Sequence, residues 1–244
     1  MIFQHWIRSF GRQRGEHKLT KVVVVDLDTI SQYHFKGFMN VITQERKDRI
    51  NRTRKLSDSK QFLMSEVLVR FLAIKELNIK NDAIKFGQLE YGKPYLIDYP
   101  EFQFNVSHSG KWLVCAYDEN PVGIDIEKIY ECDMSIAEHF FAKEEYLDLI
   151  AQKPEQRLEY FFKLWTLKES YLKALDVGLN KNLNSFIIKV RGNENCRIFS
   201  KDTKAYFRSY KFDTVYTLSI CSFHDHFDPK FELVGVNSLF NMFL

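Results

Sequence analysis

One short segment constrains this chain more than any other. Residues 123–127 read Gly-Ile-Asp-Ile-Glu, an alternation that predicts a β-strand with Asp125 and Glu127 on one face and Ile124 and Ile126 on the buried face. Two neighbouring carboxylates disfavour each other's charged form unless a cation lies between them. Since hard oxygen ligands suit Mg²⁺, the strand indicates a candidate metal site. On the residues alone, a solvated acidic pair on an exposed face is the alternative.

A long helix is predicted downstream, over about 155–175. Glu169 and Lys173 are four residues apart and therefore share one face of this helix. If that face overlooks the strand, Glu169 becomes a third acidic ligand or a base beside the metal, and Lys173 a cation for an anionic substrate. An ordinary surface ion pair is the alternative. The prediction of the helix rests on apolar side chains spaced by three and four residues, namely Leu158, Phe161, Phe162, Trp165 and Leu172.

The composition is that of a globular protein. With 244 residues, 45% apolar and 27% charged, the chain has room for one large domain or two of about 100 to 120 residues. We expect a cytoplasmic protein that binds no membrane, because no apolar run approaches the roughly 18 residues of a membrane span and the start lacks the apolar core of a secretory signal. Neither a zinc site nor a disulfide framework is indicated by the scattered cysteines, Cys115, Cys132, Cys196 and Cys221.

The net charge of +3 is unevenly distributed. A cationic run between residues 46 and 60 is either a solvated helix face, a site for a phosphate-rich ligand, or a surface for an acidic protein partner. Nucleic acid is not expected as a partner, since no aromatic platform is interleaved with these cations. The run contains Arg46, Lys47, Arg49, Arg52, Arg54, Lys55 and Lys60.

The pattern of elements predicts two halves. Residues 1–18, which are basic and polar after Trp6, form an N-terminal extension, for which disorder is an open alternative. The order strand, helices, strands then occurs twice, once on each side of Pro121, which indicates two similar α+β halves, 19–120 and 121–244, packed against one another. The first half has a buried strand at 22–27, a helix from about 43, and a second helix capped by Ser57 or Asp58.

Short strands follow in the first half, at 83–86, 102–106 and 112–117. Ser107 and His108 are predicted at the end of one of them, in a ligand-binding loop where Gly110 allows a tight return. In the second half, helical pattern over 135–150 and the long helix, which is predicted to stop at Gly178, precede strands at 186–190, 197–199, 205–212, 216–223 and 231–236.

Three segments in this order resemble the signature motifs of the 4′-phosphopantetheinyl transferases. They are Phe104-Asn105-Val106-Ser107-His108-Ser109, then Gly123-Ile124-Asp125-Ile126-Glu127, then Trp165-x-x-Lys168-Glu169-Ser170-x-x-Lys173, and a family segment upstream is matched by Tyr91-Gly92-Lys93-Pro94. The chain looks most like the larger, two-lobed surfactin-synthetase type. The resemblance extends from about Lys21 to near the C-terminus, and four motifs in register argue against chance.

The resemblance implies a fold and an activity. The fold is α+β, with two similar lobes related by a pseudo-two-fold axis, each a small, mostly antiparallel sheet packed against helices, and the active site in the cleft between them. The activity is Mg²⁺-dependent transfer of the phosphopantetheine arm of coenzyme A to a serine of an acyl or peptidyl carrier protein, releasing adenosine 3′,5′-bisphosphate. Such enzymes often serve non-ribosomal peptide or polyketide synthesis, including antibiotic biosynthesis.

Site residues follow from the same resemblance. The metal ligands fall on Asp125, Glu127 and Glu169, and the residues that contact coenzyme A on Arg46, Arg49, Lys93, Ser107, His108 and Lys173. Glu169 and Lys173 are the expected catalytic residues, with Glu169 as the base for the serine hydroxyl. We expect a carrier with an acidic surface as partner and a monomeric enzyme, because both halves of the cleft lie in one chain.

Two other functions fit the residues without the resemblance. A Mg²⁺-dependent hydrolase of nucleotide diphosphates would use the same carboxylates with water as the acceptor. A non-catalytic module would dock an acidic partner on the cationic run. Cleavage of coenzyme A without a carrier distinguishes the first from a transferase, and an inert Glu169→Gln substitution identifies the second.

Overall fold

The first lobe is built around a strand of valines. The structure, a computed structural model, describes residues 18–178, 181–191, 195–199 and 204–244; apart from Lys18, the predicted extension at 1–18 lies outside them. Strand β1 (Lys21–Asp26) is buried on both faces: Val23 and Val25 contact the core of the first lobe, whereas Val22 and Val24 contact a core shared with the second lobe. Side chains alternate between the faces of a strand, so one apolar run serves both cores.

The other elements of the first lobe are helices and short strands. The cationic run extends over the helix Gln44–Asn51, the residues that follow it and the start of the helix Leu56–Leu77. The elements are α1 (Gln32–Phe38), α2 (Gln44–Asn51), α3 (Leu56–Leu77), β2 (Phe86–Gln88), β3 (Pro94–Leu96), β4 (Gln103–Ser109) and β5 (Trp112–Asp118), with 3₁₀ turns at Leu27–Thr29 and Asn81–Ala83.

The second lobe is an antiparallel sheet covered by a long helix. Its strands lie in the order β6–β10–β9–β8–β7. Helix α6 begins with Pro154, where a missing N–H is tolerated, and ends at Asp176 in the left-handed conformation, with φ 51°. The elements are β6 (Val122–Lys128), α4 (Ile136–Phe140), α5 (Lys143–Ile150), α6 (Pro154–Leu175), a 3₁₀ turn at Leu183–Ser185, β7 (Ile187–Arg191), β8 (Asn195–Phe199), β9 (Tyr206–Asp213) and β10 (Tyr216–Ser222).

The end of the chain returns to the first lobe. Strand β11 (Glu232–Leu233) pairs in parallel with β1, which completes the order β11–β1–β5–β4, and Phe240 of α7 (Val236–Asn241) packs edge-on against Phe38. The strand predicted over 231–236 is therefore only two residues long and is followed by a helix, because Val236 and Leu239 are buried there. The division into 19–120 and 121–244 stays a prediction.

The predicted α+β, two-lobed architecture is confirmed, and the boundaries of several elements differ. Lys55 occupies the N-cap position of α3, without a side-chain capping hydrogen bond, in place of the predicted Ser57 or Asp58. These two residues lie in the first turn, where an acidic side chain also suits the helix dipole. The region 135–150 forms two short helices, because Phe141 between them is extended. The strand predicted over 83–86 lies at 86–88 instead. Among the described helices, none is both long and apolar enough to cross a bilayer.

Strand β4 is longer than its apolar pattern predicts. Ser107 and His108 lie within the strand and not in a loop, since Ser107 pairs with Val114 and His108 with Leu113 of β5. Of the residues predicted in the loop, Gly110, at φ 55°, does belong to the turn, together with Lys111.

Polar side chains of β4 join the two sheets. The Asn105 side-chain oxygen accepts the Ile124 backbone N–H at 2.9 Å, and Ser109 Oγ accepts the Lys128 N–H at 3.0 Å. These contacts link β4 with β6, and they explain why a strand between two cores tolerates polar residues. The edge of each lobe's sheet therefore lies beside the other, with the acidic residues of β6 along the junction.

Helix α6 crosses β6 at Gly123 in backbone-to-backbone contact. A Cβ atom added to Gly123 would lie 2.0 Å from the Ser170 carbonyl oxygen and 2.4 Å from the Ala174 amide nitrogen. Glycine is therefore required for this close approach. The contact places one turn of α6 directly beside the acidic residues of the strand.

We expect Gly123→Ala to destabilise the fold by about 1–3 kcal/mol or more, because the helix must move away from the strand. Urea unfolding measures the loss. The matched control is Gly235→Ala, where an added Cβ meets nothing within 4 Å and the change should stay below about 1 kcal/mol. Equal stability of the two variants would contradict the packing described here.

Candidate active site

Asp125 is a buried carboxylate that contacts helix α6 through Lys173. Its side chain is 4% exposed, and Oδ1 accepts from Lys173 Nζ at 2.5 Å and from Ser107 Oγ at 2.9 Å. Lys173 Nζ also donates to Ser107 Oγ at 3.1 Å. The second oxygen, Asp125 Oδ2, is buried and has no hydrogen-bond partner among the described residues. A buried polar atom of this kind indicates a missing partner.

The three predicted metal ligands border one cavity. This carboxylate cavity has a volume of about 310 Å³ and is bounded by β4, β6 and α6. The structure thus brings residues from both lobes together as the signature motifs indicate. Its lining consists of Val106, Ser107, His108, Asp125, Glu127, Trp165, Glu169 and Lys173.

The electrostatics of the carboxylate cavity disfavour three ionised acids. Burial, and after it the Asp125 charge, raises the pKa of Glu127 to about 7. The same two causes raise the pKa of Glu169, and the Lys173 ammonium opposes them. Carboxylates that disfavour each other's ionisation are relieved by a cation placed between them.

His108 lies at the rim of the carboxylate cavity, on the exposed side of β4. Partial desolvation, and after it the Lys173 ammonium, lowers the pKa of the imidazole, while Asp125 and Asp58 oppose this. The ring is therefore neutral at pH 7, so it offers one N–H donor and one acceptor nitrogen.

The donor set suits Mg²⁺ in its chemistry. Three carboxylates, one with a buried oxygen that has no partner, are hard oxygen ligands. Within the described ranges, however, no three His, Cys, Asp or Glu side chains are close enough together to hold a metal ion, and the Lys173 ammonium lies against Asp125. A metal bound here would have to share Asp125 with Lys173 or displace its ammonium.

Lys93 lies beside a second cavity, the turn cavity. This cavity has a volume of about 250 Å³ and shares Glu169 and Lys173 with the first; Asn105 and Asp176 are also in its wall. Burial lowers the pKa of Lys93 to about 8. Its ammonium group donates to the backbone carbonyls of Val122 and Lys173. Among the described residues, it donates to no side chain of the carboxylate cavity.

Arg46 and Arg49 lie away from both cavities, on α2. Arg46 Nε donates to the buried Glu66 at 3.2 Å, and Glu66 also pairs with Arg70 at 2.9 Å. The Arg49 guanidinium lies over the Phe62 ring at 4.1 Å from its centroid. Neither arginine is among the residues that line the cavities, so a phosphate-binding role for them stays a prediction.

Sequence reasoning missed an acidic residue that anchors α6. Lys168 is fully buried and pairs with Glu145 of α5 at 2.8 Å; it also donates to the carbonyls of Leu183 and Phe186 at 2.9 and 2.7 Å. The pair holds a different face of the helix from the one that bears Glu169, since consecutive helical residues are about 100° apart around the axis. No local signal indicates Glu145, because its partner is 23 residues away and its capping contact is to Ala142, not to a Ser or Thr.

Two family models match the chain in consecutive stretches. The model described as the 4′-phosphopantetheinyl transferase superfamily matches residues 121–221, and the one described as 4′-phosphopantetheinyl transferase, N-terminal, matches residues 29–120. Together they include β4, β6 and α6, which border the carboxylate cavity.

Individual proteins are similar over most of their length. The 4′-phosphopantetheinyl transferase Sfp of Bacillus subtilis (strain 168) is 34% identical over 212 residues, covering 86% of this chain and 95% of that protein. The 4′-phosphopantetheinyl transferase gsp of Aneurinibacillus migulanus is 36% identical over 218 residues, covering 88% and 91%. A crystal structure of Thermotoga maritima holo-[acyl-carrier-protein] synthase (AcpS) is a weaker match, with a TM-score of 0.36 and 19% identity over 43% of this chain and 63% of that one.

The raised pKa of Glu127 predicts a pH-dependent stability. The unfolded chain loses this proton near pH 4.5 and the folded chain near pH 7, so unfolding releases a proton between those values and the free energy of unfolding falls as pH rises through them. In the presence of a chelator, the free energy of unfolding of Glu127→Gln should therefore exceed that of the unsubstituted chain by roughly 2 kcal/mol at pH 8. At pH 5 the difference in this free energy should be much smaller. Urea unfolding at both pH values measures this. The control is Glu131→Gln, in the exposed loop after β6; a Glu127→Gln difference that does not change with pH would contradict the assignment.

Breaking the buried Lys168–Glu145 pair should destabilise the chain severely. Lys168→Met leaves the Glu145 carboxylate buried without its cation, for which we expect a loss of about 3–5 kcal/mol. Adding Glu145→Leu should recover a large part of it. The control is Lys189→Met, which breaks a more exposed pair with Asp148 and should cost less than about 1 kcal/mol. Similar losses for the two single variants in thermal unfolding would show that the Lys168 pair does not anchor α6.

Proposed function

The chain belongs to the 4′-phosphopantetheinyl transferase superfamily, and on that premise we propose that it transfers the 4′-phosphopantetheine arm of coenzyme A to a serine of an acyl or peptidyl carrier protein. The apo carrier becomes the holo form, and adenosine 3′,5′-bisphosphate is released. The observation that carries the proposal is the carboxylate cavity, where Asp125, Glu127 and Glu169 lie beside Lys173 and His108.

Mg²⁺ is part of the proposal. Asp125, Glu127 and Glu169 would hold it, and the buried oxygen of Asp125 without a partner supports this. A bound Mg²⁺ supplies charge neutralisation at diphosphate oxygens. Without a cation, the acidic lining would repel a diphosphate, so metal removal should abolish the activity.

The side chains of the cavity have distinct proposed roles. Lys173, whose ammonium is 2.5 Å from Asp125, donates to phosphate oxygens of coenzyme A, and the neutral His108 adds an N–H donor at the rim. Ser107 holds Asp125 and Lys173 together through its hydroxyl group. These contacts orient the diphosphate for attack from the side of the carrier.

Glu169 is the proposed general base. The serine oxygen of the carrier attacks the β-phosphorus, its proton passes to the Glu169 carboxylate, and the bond between the β-phosphorus and the oxygen of the leaving adenosine 3′,5′-bisphosphate breaks. Burial raises the pKa of Glu169, which brings it closer to neutrality and so makes it a better proton acceptor.

We further propose roles for the cations of α2, a class of carrier, an oligomeric state and a location. The cations of α2, Arg46 and Arg49 among them, are proposed to meet the adenosine-side phosphates of coenzyme A or an acidic surface of the carrier. We propose a cytoplasmic monomer that serves non-ribosomal peptide or polyketide carriers in antibiotic biosynthesis, and that binds neither nucleic acid nor membrane.

The decisive experiment incubates the protein with coenzyme A, Mg²⁺ and a panel of apo carrier proteins, and reads intact mass. We expect a gain of one phosphopantetheine on at least one carrier, lost with chelator and reduced at least about 100-fold in Asp125→Asn and Glu169→Gln. Glu119→Gln, in an exposed pair with Lys18, is the control and should keep full activity.

Two outcomes refute the transferase. Cleavage of coenzyme A without a carrier, and no modification of any carrier, identifies a hydrolase. If the unsubstituted protein shows no turnover, and Glu169→Gln still binds the carrier, the protein is a binding module.

A further inference from the structure

The Lys93 side chain donates hydrogen bonds to the protein backbone, which a side chain that binds coenzyme A would not need to do. Lys93 follows Gly92, at φ 87°, in the turn between β2 and β3. Its ammonium group donates to the Lys173 carbonyl at 2.8 Å and to the Val122 carbonyl at 3.0 Å. One side chain of the first lobe thus binds the backbone of both α6 and β6 in the second lobe.

A carboxylate at the end of α6 favours the charged form of Lys93. Asp176, the left-handed residue that ends the helix, lies in the wall of the turn cavity with Lys93. Burial raises the pKa of Asp176, while the Lys93 charge and the Lys93 backbone amide act against this. The two groups therefore stabilise each other in a site of low polarity.

An ammonium group has three N–H donors, and two of those of Lys93 are used on carbonyls. Asp176 supplies the main charge that favours the ammonium form of Lys93. A cation at the C-terminal end of a helix is also favoured by the helix dipole. Most of the hydrogen-bonding capacity of the Lys93 ammonium is thus directed to protein groups.

We propose that Lys93 is a positioning residue, not a phosphate ligand: with Asp176, it fixes the last turn of α6 and thereby the side chain of Lys173. The proposal rests on the proposed function for its activity readout. The Lys173 carbonyl that Lys93 holds belongs to the residue whose ammonium contacts Asp125 in the carboxylate cavity. A displacement of this turn moves Lys173 relative to the carboxylates.

The test compares coenzyme A with dephospho-coenzyme A as substrates of the unsubstituted protein and of Lys93→Met. A positioning role predicts that kcat falls about tenfold or more, since small displacements are costly in catalysis, while the preference for coenzyme A stays within about twofold. A ligand of the 3′-phosphate predicts that this preference falls about tenfold or more, which would overturn the proposal. Lys85→Met, in an exposed pair with Asp98, is the control and should leave kcat unchanged.

Asp176→Asn removes the charge that favours the ammonium form of Lys93. It also tests the alternative that Lys93 binds the diphosphate of coenzyme A. Asn tolerates the left-handed conformation and keeps an oxygen for the Lys93 amide but lacks the charge. A positioning role predicts a lower kcat in Asp176→Asn and effects that are not additive in the double variant. An unchanged kcat in Asp176→Asn, or additive effects, would overturn the proposal.

The same pair of variants separates this proposal from the proposed function. If the unsubstituted protein modifies no carrier, the proposed function fails, and the coupling of Lys93 and Asp176 is read from thermal unfolding midpoints instead. Non-additive midpoints then support the contact, and additive midpoints overturn it. Should Lys93→Met fail to fold, Asp176→Asn alone decides through kcat.

Discussion

The close approach of α6 to β6 at Gly123 is the constraint on which the rest of the structure depends. Because a Cβ atom at this position would meet the helix backbone, the strand and the helix form one rigid unit only with glycine there. A single side chain of α6, such as Lys173, can consequently contact an acidic residue of β6. The hydrogen bonds from β4 then add the first lobe to this unit, so the cavity has walls from both halves of the chain.

Charges on opposite sides of α6 have different partners. On one side, Lys168 is neutralised by Glu145 within the core, which fixes the rotation of the helix. On the other, Lys173 meets Asp125 at a cavity where two further carboxylates, Glu127 and Glu169, form no ion pair with any residue that the structure describes. The buried pair is satisfied by the protein alone, whereas the acids of the cavity are not. This imbalance is the physical reason to expect a divalent cation and an anionic substrate there.

Local periodicity predicted the parts of the site that lie within single elements. Alternation placed Asp125 and Glu127 on one face, and the four-residue spacing placed Glu169 with Lys173. The sequence could not predict contacts between distant residues: Glu145 with Lys168, Lys93 with the backbone of α6, or the return of α7 to the first lobe. Ser107 and His108 were predicted in a loop because polar residues interrupt an apolar strand pattern, yet both lie within β4. Ser107 faces the edge of the neighbouring sheet, where it contacts Asp125, and only the tertiary fold supplies that edge.

Asp125, Glu127 and Glu169 are proposed to bind one metal ion beside Lys173. A crystal structure with Mg²⁺ and coenzyme A bound tests this proposal most directly. We expect Mg²⁺ in the carboxylate cavity with oxygens of these three residues at about 2.0–2.1 Å, and the Lys173 ammonium moved from Asp125 to a phosphate oxygen. A metal bound elsewhere, or a Lys173–Asp125 contact unchanged with coenzyme A in place, would contradict it.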